Sequence, residues 1–344
     1  MGSFKGHALP GTLFFLVGVW HIWATIVRYV RNPKTFRVRA WNPVPGFDGR
    51  LKYLELYVVA IGSFIDLCVE FLYSTHLKIF VGGVLNPSHM NDFEHSGMLL
   101  MFFIYGVVSL LSEKTRFLPL QEGVLCLIAS MAFSAEYLLF YFHSTSHKGL
   151  EGYYHTLLVF QIGLCVLSSI AGALMPNNFP VDLCNGIAIA LQGIWFYQTA
   201  FVLYGPMIPD GCKVKDNNIL CNSVDSEVRG ELLANFQLFV AVLAVLVGTV
   251  ASSDDWRLHL RFRLPNQKNR GGLGGGRQSD TQGGAGSGSP PPPQLKGTAR
   301  GDLTEPKSRK FIRQERKAMQ GERTLASLGR FFKKHTPLKG ESQT

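Results

Sequence analysis

The stretch LLMFFIYGVVSLL (Leu99–Leu111) carries no charge, and neither does FVAVLAVLVGTV (Phe239–Val250). Neither alternates apolar with polar residues, as a strand of a membrane barrel must. Hydrocarbon offers no partner to a free backbone N–H or C=O, so an uninterrupted apolar run that crosses it is a helix. A helix rises ~1.5 Å per residue, so about 20 apolar residues span a ~30 Å hydrocarbon layer. Working outward, seven such runs lie near 9–30, 54–73, 95–112, 122–142, 155–175, 184–204 and 235–252. The fold class that follows is all-α: a polytopic membrane protein with seven transmembrane helices.

The 344 residues divide by charge. Residues 1–255 hold 15 Lys and Arg against 18 Asp and Glu, whereas residues 256–344 hold 19 against 6. The second part is rich in Gly, Pro and Ser, with Gly271–Gly276 and Pro290–Pro293 as its densest stretches. Such a segment buries too little apolar surface to offset chain entropy and is expected to be a disordered basic tail. Leu325, Leu328, Phe331 and Phe332 fall at helical spacing within it, so contact with anionic lipid is one expectation and a solvated tail the other. This division excludes a secreted disulfide scaffold and a globular nucleic-acid binder. Membrane lipids are the expected partners, and nucleic acid is not.

The first run does not read as a cleaved signal, because Arg28 and Arg31 follow the apolar stretch instead of preceding it. Gly6 stands where myristoylation needs Ser or Thr. No internal repeat supports an inverted-repeat transporter. Near the span ends, six Lys and Arg lie on the side of the N-terminus and fourteen on the other. By the positive-inside rule the C-terminus is expected in the cytosol and the N-terminus in a lumen or outside, in an endomembrane or the plasma membrane. Asn86 precedes Pro87, which leaves no usable glycosylation acceptor in the lumenal loops. Cys212 and Cys221 share the last of those loops, where a disulfide fits an oxidising compartment and a pair of free thiols is the other reading.

Ionisable groups in a span cost at least ~2.5 kcal/mol each on insertion scales, so each needs a reason. Asp66 and Glu70 lie four apart near the lumenal end of span two, and His95 opens span three. Glu136 lies in span four; His143, His147 and Glu151 fall in the next lumenal loop, and His155 starts span five. His7 stands just outside span one. The opposite end is expected to hold nothing similar. Imidazoles and carboxylates converging from separate helices are what a divalent metal, zinc above all, requires. Glu136 and His143 are seven apart, ~10.5 Å along a straight helix, so they do not ligate one ion unless the helix breaks. The expected ligands are Glu70, His95, Glu136 and His155, with His143 as a ligand or supporting partner, and Asp66 as an unligated general base. A structural hydrogen-bond network in a wet vestibule is the competing reading. His147 reads as a surface residue and His21 as a helix-to-helix hydrogen-bond partner. Gln192, beside Gly193, and Gln198 read either as pocket-lining amides or as polar packing beneath an aromatic belt.

These residues resemble the transmembrane protein 45 family over about 1–255. The likeness rests on Gly6-His7-Ala8-Leu9-Pro10-Gly11, Glu70, His95-Ser96, Glu136 with His143 seven residues on, Glu151, His155, and the Gln-Trp-Gln pattern of Leu191–Tyr204. Thr145 stands where that family often has a second histidine, so His147 inherits no ligand role. The resemblance implies a seven-span membrane domain of endomembranes or the cell surface, with plant members named for viral responses, and supplies no substrate. Three readings of function remain open. One is a metal-dependent membrane hydrolase acting on a lipid. Another is a receptor-like or adaptor protein working through its tail, although Ser112-Glu113-Lys114 replaces the Asp-Arg-Tyr of G-protein-coupled receptors. The last is an ion or proton path, against which the lack of ionisable groups at the cytosolic end is the main argument.

Overall fold

A computed structural model describes residues 4–47, 49–215 and 218–263, with side chains described as far as residue 252. Among these, seven helices are long and apolar enough to cross a membrane. They are α1 (Phe4–Arg31), α2 (Leu54–Cys68, continued by a π-helical turn at Val69–Ser74), α3 (Met90–Lys114), α4 (Glu122–Ser146), α5 (Gly149–Leu174), α6 (Phe179–Leu203) and α7 (Val224–Arg263). Each apolar run of the sequence falls within one helix to within a residue. The helices extend past the runs at the end that carries the N-terminus, because they also recruit polar residues. His7, Asp92, Glu94, His95 and Glu151 are therefore helical. Only His147 and Lys148 separate α4 from α5, so the loop expected around His143 and Glu151 is two residues long. α7 runs on to Arg263, past residue 255 where the tail was expected to begin. The remaining tail expectations, disorder and lipid contact, lie outside the described residues.

α6 is the inner helix, with 72% of its most apolar window buried, against 17% for α7 on the rim. Its antiparallel seam with α1 is built from glycines. A Cβ on Gly186 would stand 2.9 Å from the Ile22 nitrogen, and one on Gly11 3.2 Å from the Gly193 carbonyl oxygen. Gly18 and Gly193 press still closer on the backbones of Ala190 and Phe15. In a membrane, where apolar side chains gain little by leaving lipid, close backbone packing of this kind supplies the van der Waals attraction. Gly106 of α3 meets Ala60 of α2 in the same way, 2.9 Å from its nitrogen. Trp195 on α6 stacks on Tyr154 of α5 with ring centroids 5.6 Å apart, and its indole N–H donates to the Tyr154 carbonyl at 3.0 Å. The Tyr154 hydroxyl then donates to Gln237 Oε1 at 2.6 Å and ties α7 to this core.

Two small hairpins sit at the histidine-bearing end: β1 (Phe80–Val81) with β2 (Val84–Leu85), and β3 (Cys212–Lys215) with β4 (Asn218–Cys221). Cys212 and Cys221 face each other in register and are joined as a disulfide. At the other end, the segment 36–44 folds inward; Trp41 and Asn42 in it are wholly buried.

Candidate functional site

Five histidines meet at the end of the bundle that carries the N-terminus. α1 brings His7, α3 brings His95, the last turn of α4 brings His143, His147 follows it, and the second turn of α5 brings His155. Neighbouring ring centroids lie 5.2 Å apart for His95 and His143, 4.7 Å for His143 and His147, 5.1 Å for His147 and His155, and 5.6 Å for His7 and His155. Glu70 enters from the π-helical turn, which places it beside His95. Such turns insert one extra residue and re-aim a side chain, and they recur at functional sites.

For two of the rings, hydrogen bonds to oxygen decide which nitrogen carries the proton. His155 Nδ1 lies 2.8 Å from the Glu151 carbonyl, which only accepts. His143 Nδ1 faces Glu94 Oε2 at 3.3 Å, His147 Nδ1 faces Glu151 Oε1 at 3.2 Å, and His95 Nδ1 faces Glu70 Oε2 at 3.5 Å. An ionised carboxylate also only accepts, so Nδ1 is the donor in His155 and His143, and the Nε2 of each of these two rings is left as the acceptor. Those Nε2 atoms turn inward: His143 to His147 at 3.3 Å, and His155 to His7 at 3.4 Å. At that separation one ring donates its Nε2–H to the other, or a cation lies between the two nitrogens. Oxygen-anchored imidazoles are also the usual supporting arrangement of metal-binding histidines. Among the described residues, however, no group of three or more His, Cys, Asp or Glu is already arranged as the ligands of one ion. Tyr204, just past α6, closes the cluster from above and donates to Glu151 Oε1 at 3.3 Å. Burial and the Glu151 carboxylate push its phenol above the ordinary value, so it keeps its proton.

Glu136 stands apart from this cluster. α4 does not break, and Glu136 Oε1 instead accepts from Gln192 Nε2 at 2.7 Å, while Cys165 Sγ donates to Gln192 Oε1 at 3.2 Å. Of the expected ligands Glu70, His95, Glu136 and His155, Glu136 thus has an amide on α6 as the partner of one oxygen and shares a cavity with Glu70 and His95. Gln192 is more than packing, since it orients this carboxylate. Glu136 Oε2 has no partner and is buried. Glu136, Asp66, Glu70 and His95 line one cavity of about 40 Å³, which His7 also reaches. Gln198 does not line it; its buried Nε2 lacks an acceptor. His147 is not a surface residue: its side chain is 16% exposed and touches His143 and Glu151. Sequence reasoning placed His7 at this end but gave it no ligand role; it sits one turn before Gly11 on the face that meets α6. That spacing was the available signal.

The opposite end also holds a buried polar network, contrary to expectation. Asp182, fully buried, accepts from Thr25 Oγ1 at 2.9 Å, from Arg28 Nη2 at 2.5 Å and from the Arg39 N–H at 3.3 Å. His21 bridges Asp182 at 3.3 Å and Asn42 at 3.1 Å, so it ties α1 to α6 and to the inward segment. The Asn42 N–H donates to Glu55 Oε2 at 2.6 Å, and the Ala40 N–H to Glu122 Oε2 at 3.3 Å. Backbone groups of residues 39–42, carried inside the bundle, thus find side-chain acceptors that lipid would not supply.

Residues 122–253, from α4 to the end of the last span, match a family described as of unknown function, DUF716. Transmembrane epididymal protein 1A of Mus musculus is 24% identical over 225 residues, which cover 60% of this chain and 69% of that protein. Transmembrane epididymal protein 1 of Homo sapiens is 27% identical over 165 residues, 44% of this chain and 59% of that protein. The chain is an integral, multi-pass membrane protein. Its likeness is to a membrane family of the DUF716 type, and the matched part contains Glu136, His143, His147, Glu151, His155 and Gln192.

Proposed function

We propose that the histidine end holds one divalent transition metal, with zinc best suited to its donors, and that the protein is a metal-dependent hydrolase of a membrane lipid. The observation that carries this reading is the pairing of Nε2 atoms at 3.3 and 3.4 Å, with three of the rings anchored through Nδ1 to oxygen. Zinc–imidazole bonds of about 2.0–2.1 Å in a tetrahedron set ligand nitrogens about 3.3–3.4 Å apart, so each pair already has the length of one edge. His143, His147, His155 and His7 offer the nitrogens, and Glu70 with His95 stands alongside. A divalent ion there supplies Lewis acidity toward water or a carbonyl. Asp66, in the adjoining cavity, serves as the proton acceptor, and Tyr204 holds Glu151 in place beneath His147. The same reading places the histidine end in a lumen or outside the cell and the C-terminus in the cytosol, and it assigns the chain to the transmembrane protein 45 kind within the broader likeness.

The test is metal analysis of protein extracted gently without chelator. About one transition-metal ion per chain is expected, falling below about 0.2 in the His143→Ala, His155→Ala double variant, because each lost imidazole removes a bond the site depends on. Deleting residues 264–344 is expected to leave the count unchanged, which separates a pocket function from an adaptor acting through the tail. Fewer than one ion per chain in the unaltered protein overturns the reading.

A further inference from the structure

Below the histidines, the cavity walled by Asp66, Glu70, His95 and Glu136 abuts a second cavity of about 80 Å³; the two share Pro10, Phe14, Leu99 and Phe102 in their walls. The lower one is largely apolar, walled by side chains such as Leu13, Val17, Val59 and Phe133. Among the described residues, no Lys or Arg lines either cavity. Three carboxyl groups thus face the small upper space, with two imidazoles, His7 and His95, as its basic side chains. Glu136 is 2% exposed, and its Oε2 lacks any partner. A buried carboxylate oxygen without a donor is costly, by about 1–3 kcal/mol or more for a charged group. Glu136 cannot relieve this by turning, because Gln192 fixes its other oxygen at 2.7 Å.

We propose that the two cavities bind a lipophilic amine. Its ammonium group sits between Asp66 and Glu136, donating to the free Glu136 Oε2, and its apolar body extends toward Phe133 in the lower cavity. A carboxylate head meets three acids and is rejected; a hydroxyl supplies one donor but leaves the negative charge unbalanced. Size follows from volume. One water-sized group occupies roughly 10–15 Å³ on this measure, so the upper cavity takes about three heavy atoms and the lower about six to eight. An amine of about ten heavy atoms fills both, such as decylamine or a compact arylalkylamine. The ammonium site adjoins the proposed metal site, since His7 lines the upper cavity and Asp66 is the proton acceptor of that reading, but it does not need the metal, because the free Glu136 Oε2 is paired with none of the facing Nε2 atoms.

The experiment uses the full chain in lipid nanodiscs and a photoactivatable decylamine carrying an alkyl diazirine. Unlabelled decylamine, decanol and decanoic acid compete against it, with and without chelator. Decylamine is expected to compete about tenfold better than decanol, the ratio that separates a charged from a neutral hydrogen bond, and decanoic acid is expected not to compete. Crosslinks are expected on peptides of α3 and α4, and chelator is expected to change nothing. Glu136→Gln, which keeps the shape and the Gln192 contact, is expected to cut labelling about tenfold, and Ala129→Phe to block it by filling the lower cavity. Decanol or decanoic acid competing as well as the amine overturns the proposal, as does labelling confined to the rim helix α7. Should a variant fail to fold, the competition on the unaltered chain decides alone. Loss of labelling on chelation with the head-group order intact would move the ammonium site onto the metal and overturn the independence claimed here.

Discussion

At the scale of single residues, Asp182 is the side chain on which most depends. It receives Thr25, His21, Arg28 and the Arg39 N–H at once, with none of its surface exposed. Removing one partner of a buried pair strands the other, at about 3–5 kcal/mol. Asp182→Ala is therefore expected to lower the melting midpoint in mild detergent by at least about 6 °C, since 1 kcal/mol moves a domain of this size by roughly 2–4 °C. Asp182→Asn keeps one acceptor oxygen, enough for the Arg39 N–H or the Thr25 hydroxyl but not both, and is expected to lose less; equal losses would show that charge, not hydrogen bonding, holds the network. Residue identity alone announced only part of this. Glu70, His95, His143 and His155 were legible as a convergent set because each is expensive in a span and lies near the same end. Asp182 was not, because it falls at the edge of an apolar run and its partners arrive from α1 and from a loop far away in sequence. The partner of Glu136 was hidden for the same reason. Spacing along α4 shows what it cannot reach, but not that Gln192 on another helix waits opposite.

At the scale of elements, the helices were readable and their ends were not. Twenty apolar residues declare a span, but hydropathy falls as soon as His, Asp and Glu appear. The runs therefore understate α1, α3 and α5 at the end where the polar cluster sits. The glycine contacts set a sharper test. A leucine at Gly18 collides with the backbone of Ala190, whereas Gly248 on α7 has open space where a Cβ would go. Gly18→Leu is expected to abolish the folded, monodisperse fraction, since overpacking against backbone has no side chain to yield. Gly248→Leu is expected to be neutral or to raise thermal stability, a helical glycine being about 1 kcal/mol worse than a better helix former. Equal behaviour of the two variants in size-exclusion chromatography would show that the seam is not what holds α1 to α6. The inward fold of residues 36–44 left no mark that hydropathy detects. Its Trp41 and Asn42 are buried through contacts that only the assembled bundle provides.

At the scale of the whole molecule, the distribution of ionisable groups bears on the ion-path reading. Both ends carry them, so the argument from a bare end fails. The walls between, around Leu13, Val17 and Phe133, are apolar instead. Proton-carrying groups such as Glu55, His21 and Asp182 line only part of that cavity, and flux through liposomes is not expected. Orientation has its own check. In a Cys184→Ser background, Lys78→Cys and Arg116→Cys occupy exposed loops at opposite ends. A membrane-impermeant maleimide applied to cells whose plasma membrane alone is opened is expected to label position 116 and to spare position 78. The reverse pattern would invert the topology and move the histidines to the cytosol.

The glycine seams also govern traffic. Where α1 lies backbone to backbone on α6, and α2 on α3, no side chain can swing aside like a door. A molecule dissolved in the bilayer must therefore reach the interior across another border of the bundle or descend from its aqueous mouth. The shape of that doorway, rather than the interior alone, selects what arrives.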